Sequence, residues 1–80
     1  MSISLKEYRK RIALICQDDA AYLHSMYMKS MEDLLYMPRD SEWRADMEDA
    51  VRTIQERAGK AYVNAMGFTA AAITTPDTEE

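Results

Sequence analysis

His24 is the only histidine and Cys16 the only cysteine in 80 residues. Side-chain chemistry in this chain therefore has few places to reside. His24 has alanine four residues before it and methionine four residues after it, so no carboxylate on its own helix face orients the imidazole. Cys16 falls on an apolar helix face, where a thiol is a small inert hydrophobe rather than a nucleophile. A lone cysteine also excludes an intramolecular disulfide. His24, Met28 and Met31 lie within about 60° of one another on a helix, and imidazole with two thioethers suits soft copper. Copper sites of that kind need further ligands on a flexible segment, and methionine in a helix usually packs. The sequence has no nucleophile elbow, P-loop, Gly-rich dinucleotide turn, zinc-ligand spacing or Glu-x-x-His repeat. The expectation is no catalytic residue, no bound metal and no cofactor.

Two long helices must carry these residues. Ser4 and Glu7 form a capping box, with Ile3 and Tyr8 at the flanking staple positions. The helical pattern then runs from Leu5 to about Met37 without glycine or proline. Pro38 stops it, because the residue before a proline is pushed out of helical conformation. Such a helix would be about 48 Å long. At 100° per residue, Leu5, Tyr8, Ile12, Ile15, Cys16, Leu23, Met26, Leu34 and Met37 share one face. Asp19 sits in the middle of that face. Either the helix breaks near residues 17 and 18, with Asp18 capping a new start, or it is continuous and Asp19 meets a donor across a helix interface. The stripe keeps its phase across the site, which favours continuity and makes Asp19 a determinant of core or dimer specificity.

Pro38, Arg39 and Asp40 form the linker, and Asp40 or Ser41 caps the second helix. Glu42, Asp46, Glu48 and Asp49 crowd its first turns, as the helix dipole favours. Its inward face reads Trp43, Met47, Ala50, Val51, Ile54, Ala58, Ala61, Tyr62 and Ala65. Glu48 with Arg52 and Glu56 with Lys60 are favourable pairs on its outer face. Gly59 costs roughly 1 kcal/mol in a helix interior, and close packing would account for it. Gly67 reads as a terminating glycine, with Phe68 making the accompanying apolar contact. The fold class is therefore all-α. It is a long two-helix antiparallel hairpin over about 5–37 and 41–66, or a three-helix bundle if the first helix breaks near Asp18, dimerising into a helical bundle. Residues 1–68 form the hairpin domain and 69–80 a loosely ordered acidic tail.

Composition narrows the function. The formal net charge is −4. Phosphate backbones are held by clusters of basic residues, so nucleic acid is not an expected partner. Residues 1–11 carry Lys6, Arg9, Lys10 and Arg11 against Glu7 alone, a patch too small for a nucleic-acid arm and read as a solvated face. No stretch is long enough to span a membrane, and no signal-peptide pattern precedes the first helix; the cytoplasm is the expected compartment. Seven methionines in 80 residues point to surfaces that adapt to a partner. Over 20–37 the first helix is apolar almost all round, yet one antiparallel neighbour covers a single stripe. His24, Tyr27, Met28, Met31 and Leu35 lie on the second side and are the candidate partner-binding residues. A third segment, such as 68–75, folding back over them is the competing explanation.

The functional expectation is a non-enzymatic protein-binding module, an inhibitor or adaptor that also forms a homodimer. Its size, acidity and lack of motifs match the style of small inhibitors that phages and mobile elements use against host machinery. The alternatives are a small-ligand-binding helical dimer with a pocket between helices and, more weakly, an acidic decoy of nucleic acid. Arg44, Arg52 and Arg57 interrupt the acids that a decoy would need.

Overall fold

A computed structural model of the chain describes residues 2–76 as two helices, α1 (Leu5–Leu35) and α2 (Arg44–Thr74), folded into an antiparallel hairpin. Each has 31 residues and is about 46 Å long. The start of α1 follows the capping-box reading: the Glu7 amide donates to Ser4 Oγ at 3.1 Å. Its end follows the proline reading, with Tyr36 as C-cap and Met37 already outside the helix. The helix is continuous through Asp18 and Asp19, so no third helix forms.

The turn differs from expectation. Neither Asp40 nor Ser41 is the N-cap of α2; Trp43 is, without a side-chain cap. Ser41 instead organises the preceding turn, its hydroxyl accepting from the Trp43 amide at 3.2 Å. Arg44 fastens the connection. Its guanidinium donates to the Met37 carbonyl at 2.9 Å and the Leu34 carbonyl at 3.4 Å, and pairs with Glu48 at 3.8 Å. The Leu34 carbonyl belongs to the last turn of α1, where it also accepts from the Met37 amide at 3.2 Å, and the Met37 carbonyl belongs to the connection.

Gly67 does not end α2. Neither glycine has a positive φ, and the helix runs on to Thr74. Ala70, Ala71 and Ala72 are strong helix formers, and Ala72 is buried against α1. Residues 69–74, expected as loose tail, are thus helix; 77–80 lie outside the described residues. Thr75 is buried and receives the open end of α1. Lys6 Nζ donates to its carbonyl at 2.9 Å, and Arg9 donates to its hydroxyl at 2.7 Å. Two cations here complement the negative end of the α2 dipole. Lys6 and Arg9 are therefore a clasp on α2, whereas Lys10 and Arg11 stay on the solvated face.

The inward stripe of α1 is also rotated from the expected one. Half-buried or buried are Arg9, Ala13, Cys16, Ala20, Leu23, Tyr27, Ser30, Leu34 and Met37, at alternating spacings of four and three, with Lys6 and Ile12 half-buried beside them. Leu5, Tyr8, Ile15 and Met26 are exposed, Ile15 by 65%. A spacing that averages 3.5 residues per turn drifts about 20° per heptad from a straight helix. Ile15 and Asp19 lie within two heptads of Leu5, where drift is at most about 40°; they turn outward chiefly because the seam follows the small residues Ala13, Cys16 and Ala20. On α2, Met47, Val51, Ile54, Ala58, Ala61 and Ala65 face inward as expected, whereas Trp43, Ala50 and Tyr62 do not. The buried apolar core is Ala13, Val51, Ala61, Ala65 and Ala72, and no large side chain is fully buried.

Candidate functional site

Beside the seam, each helix carries a second stripe with the same alternating spacing. On α1 it reads Gln17, Ala21, His24, Met28, Met31 and Leu35. On α2 it reads Gln55, Gly59, Tyr62, Met66, Thr69 and Ile73. In the open half of the hairpin these stripes lie on one face and form a groove of about 890 Å³ between the helices, floored by Ala20, Ala58 and Ala65. No Asp, Glu, Lys or Arg lines it. A hydrogen bond from Gln17 Nε2 to Thr69 Oγ1, 2.8 Å, ties the two helices across the groove. Gly59 borders the groove, but a Cβ built on it would meet nothing within 4 Å. Close packing inside this hairpin is thus not the reason for glycine there.

Toward the turn the groove passes into a shallower pocket of about 700 Å³. The pocket brings together all five candidate binding residues, His24, Tyr27, Met28, Met31 and Leu35, with Ser25, Lys29 and Glu32 at its edge. His24 and Tyr27 belong to both depressions. α1 alone lines the pocket. Met28 is 55% and Leu35 77% exposed, so α2 leaves this side uncovered. Tyr27 is the exception among the five: it is half-buried in the seam and contributes its edge to both surfaces. Residues 68–75 do not fold back over the patch, because they continue α2.

Asp19 is exposed on the opposite flank of α1, between Ile15 and Tyr22 along the stripe Leu5, Tyr8, Ile12, Ile15, Asp19, Tyr22 and Met26. It needs no buried donor. Cys16 is a half-buried free thiol in the seam. Among the described residues no group of three or more His, Cys, Asp or Glu stands where it could hold a metal ion, and no helix is long and apolar enough to cross a membrane. On the outer face of α2, Arg52 pairs with Asp49 at 3.0 Å rather than with Glu48, whose carboxylate faces Arg44. The α2 half of the groove, Gly59, Tyr62, Met66 and Ile73, is absent from the candidate binding residues read from the sequence, where Gly59 and Tyr62 were assigned to packing. Its signal was the second three-and-four spacing, masked by the prominence of the alanine stripe beside it.

Comparison with protein-family models, curated proteins and solved structures finds no match to this chain.

Proposed function

We propose that this chain is a non-enzymatic protein-binding module, an inhibitor or adaptor of the cytoplasm, that engages another protein through the turn half of α1. The observation carrying this reading is the pocket of Met28, Met31 and Leu35, apolar and left open by the hairpin's other helix. Flexible, polarizable thioethers fit a contact that must mould to a foreign surface. An apolar patch of this kind on a folded chain marks an interaction site more often than a catalytic one. A small-ligand site would call for an enclosed cavity with a converging cation; the groove is open and no arginine lines it. A nucleic-acid decoy would call for an unbroken acidic array; Arg44 and Arg52 instead sit among the acids of α2 and pair with Glu48 and Asp49.

The test uses the full chain as bait in a lysate of its native host, with two variants beside it. Met28→Glu/Leu35→Glu is expected to keep wild-type helicity and lose the captured protein, since a carboxylate in a desolvated apolar contact has no compensating donor. Ile54→Glu places a charge in the seam and is expected to lose helicity. A Met28→Glu/Leu35→Glu variant that unfolds as badly as Ile54→Glu, or that still captures the same protein, overturns the reading.

A further inference from the structure

We propose that a second copy of this chain occupies the uncharged groove between residues 17–27 of α1 and 55–73 of α2, closing two hairpins into a four-helix bundle. This goes beyond the foreign-protein reading and stands or falls independently of it.

A compact monomer of 9.2 kDa exposes about 4,900 Å². This chain exposes 6478 Å². The surplus is more than about 1,000 Å², which exceeds the roughly 800 Å² per partner of a standard stable interface. The hairpin's own core is four alanines and a valine, so the surplus is the burial that the fold lacks.

Periodicity says where that burial goes. A helix in a two-helix hairpin touches one neighbour and needs one apolar stripe. A helix in a four-helix bundle touches two neighbours and needs two adjacent stripes. Both helices carry a second stripe, and both second stripes lie on the same hairpin face. The other flank does not share this property. There α1 offers Ile15, Tyr22 and Met26 and α2 offers Phe68, but Thr53, Arg57, Lys60 and Asn64 make the rest of the α2 stripe polar. The groove face, by contrast, is lined by both helices without a charged residue.

The shape of the groove and the stability of the chain identify the occupant. Its floor is small side chains and its rim is Tyr62 and Met66, so one surface carries both hollows and knobs. Such a surface is self-complementary under a two-fold axis. The open space at Gly59 is where another backbone could come close without meeting a side chain. A hairpin short of burial must also be completed whenever it is made, and the partner present at equal concentration is another copy.

The test is sedimentation equilibrium and thermal melting of the full chain at several concentrations, with three variants. The wild type is expected at about 18 kDa, twice the chain mass, with a melting midpoint that rises with concentration as linkage requires. Tyr62→Glu/Met66→Glu puts two carboxylates into the uncharged groove and is expected to weaken self-association at least about a hundredfold. Val63→Glu, adjacent in sequence but 66% exposed outside the groove, is expected to leave it unchanged. A concentration-independent melt at the mass of one chain overturns the proposal, as does a chain that is helical only when a different protein is added. A dimer that survives Tyr62→Glu/Met66→Glu but dissociates on Ile15→Glu/Tyr22→Glu overturns the choice of face. If the groove variant unfolds, the concentration dependence of the wild-type melt still decides. Met28 and Leu35 are untouched in these variants, so failure here is distinct from failure of the foreign-protein reading.

Discussion

Replacing Gly67 by alanine separates two conformations of the same residue by the sign of one measurement. As a terminating glycine, Gly67 would need a left-handed backbone, and alanine there would cost about 1–2 kcal/mol. In the structure its φ is not positive, the helix continues seven residues to Thr74, and an added Cβ meets nothing within 4 Å. Alanine should therefore stabilise each chain by about 0.8–1.0 kcal/mol, the intrinsic difference between the two residues in a helix interior. For a chain of this size that raises the melting midpoint by about 4–8 °C. Urea titrations followed by far-UV circular dichroism at matched concentration give the free energy directly. A lowered midpoint for Gly67→Ala refutes the continuous α2 and restores a helix end near residue 66. Gly59→Ala supplies an internal comparison. Its Cβ is equally unobstructed within the hairpin, so an isolated hairpin gains the same amount at both sites. Gly59 borders the groove, however, and a second copy packed there would meet the new methyl. Its gain should then fall below half that of Gly67→Ala.

Two further substitutions probe how the hairpin is held. Asp19→Leu should change stability by no more than about 0.5 kcal/mol, the usual range for a solvated position. It should also raise non-specific association, because it joins Ile15 to Tyr22 in one apolar strip; a loss of 2 kcal/mol or more by chemical denaturation would show that Asp19 holds a buried donor after all. Arg44→Met removes two hydrogen bonds to carbonyls at the end of α1 and an ion pair. With the side chain partly exposed, the expected loss is about 1 kcal/mol, accompanied by faster amide exchange around the turn, and unchanged exchange at residues 36–43 would mean that Arg44 does not organise the connection.

Local signals in the sequence translated well into structure. The capping box at Ser4 and Glu7, the stop before Pro38 and the unbroken course of α1 through Asp19 each depend on a few neighbouring residues and on backbone chemistry. The rotation of α1 did not translate, for a physical reason. A 100° projection accumulates error against a seam that repeats every seven residues, and it gives weight to large apolar side chains. Ile15 and Tyr8 drew the expected face toward themselves, whereas the actual contact uses Ala13, Cys16 and Ala20. Alanine is favoured in a close helix approach because it is small, a property invisible to a stripe judged by hydrophobicity. Gly67 misled in the complementary way. Glycine permits a helix end without requiring one, and the three alanines at 70–72 outweigh it. Of the candidate site, the α1 half was legible because Met28, Met31 and Leu35 are large and adjacent. The α2 half, Gly59, Tyr62 and Met66, becomes legible only when the seam has been phased.

The placement of large and small residues reverses the usual relation between exposure and importance. A buried methyl or methylene contributes about 0.8 kcal/mol, whereas fixing one residue's backbone costs about 1–2 kcal/mol. A seam whose buried apolar residues are four alanines and Val51, with Leu23, Leu34, Met47 and Ile54 only half-buried, therefore defines how closely and at what register the helices meet, but supplies only part of the energy that keeps them ordered. The side chains able to supply it, Tyr62, Met66, Met28 and Leu35, stand in the open in the single hairpin. Under the pairing proposed above, folding and assembly are one equilibrium, and charges introduced at Tyr62 and Met66, which line the groove, should destabilise the chain more than Ala21→Ser on the groove wall. Under a solitary hairpin the order inverts, with Val51 and Ile54 dominating and Tyr62 close to neutral. The ranking of Tyr62→Glu against Val51→Ala in the same denaturation series thus reads out whether the energy of this fold lies between its two helices or on the face they share.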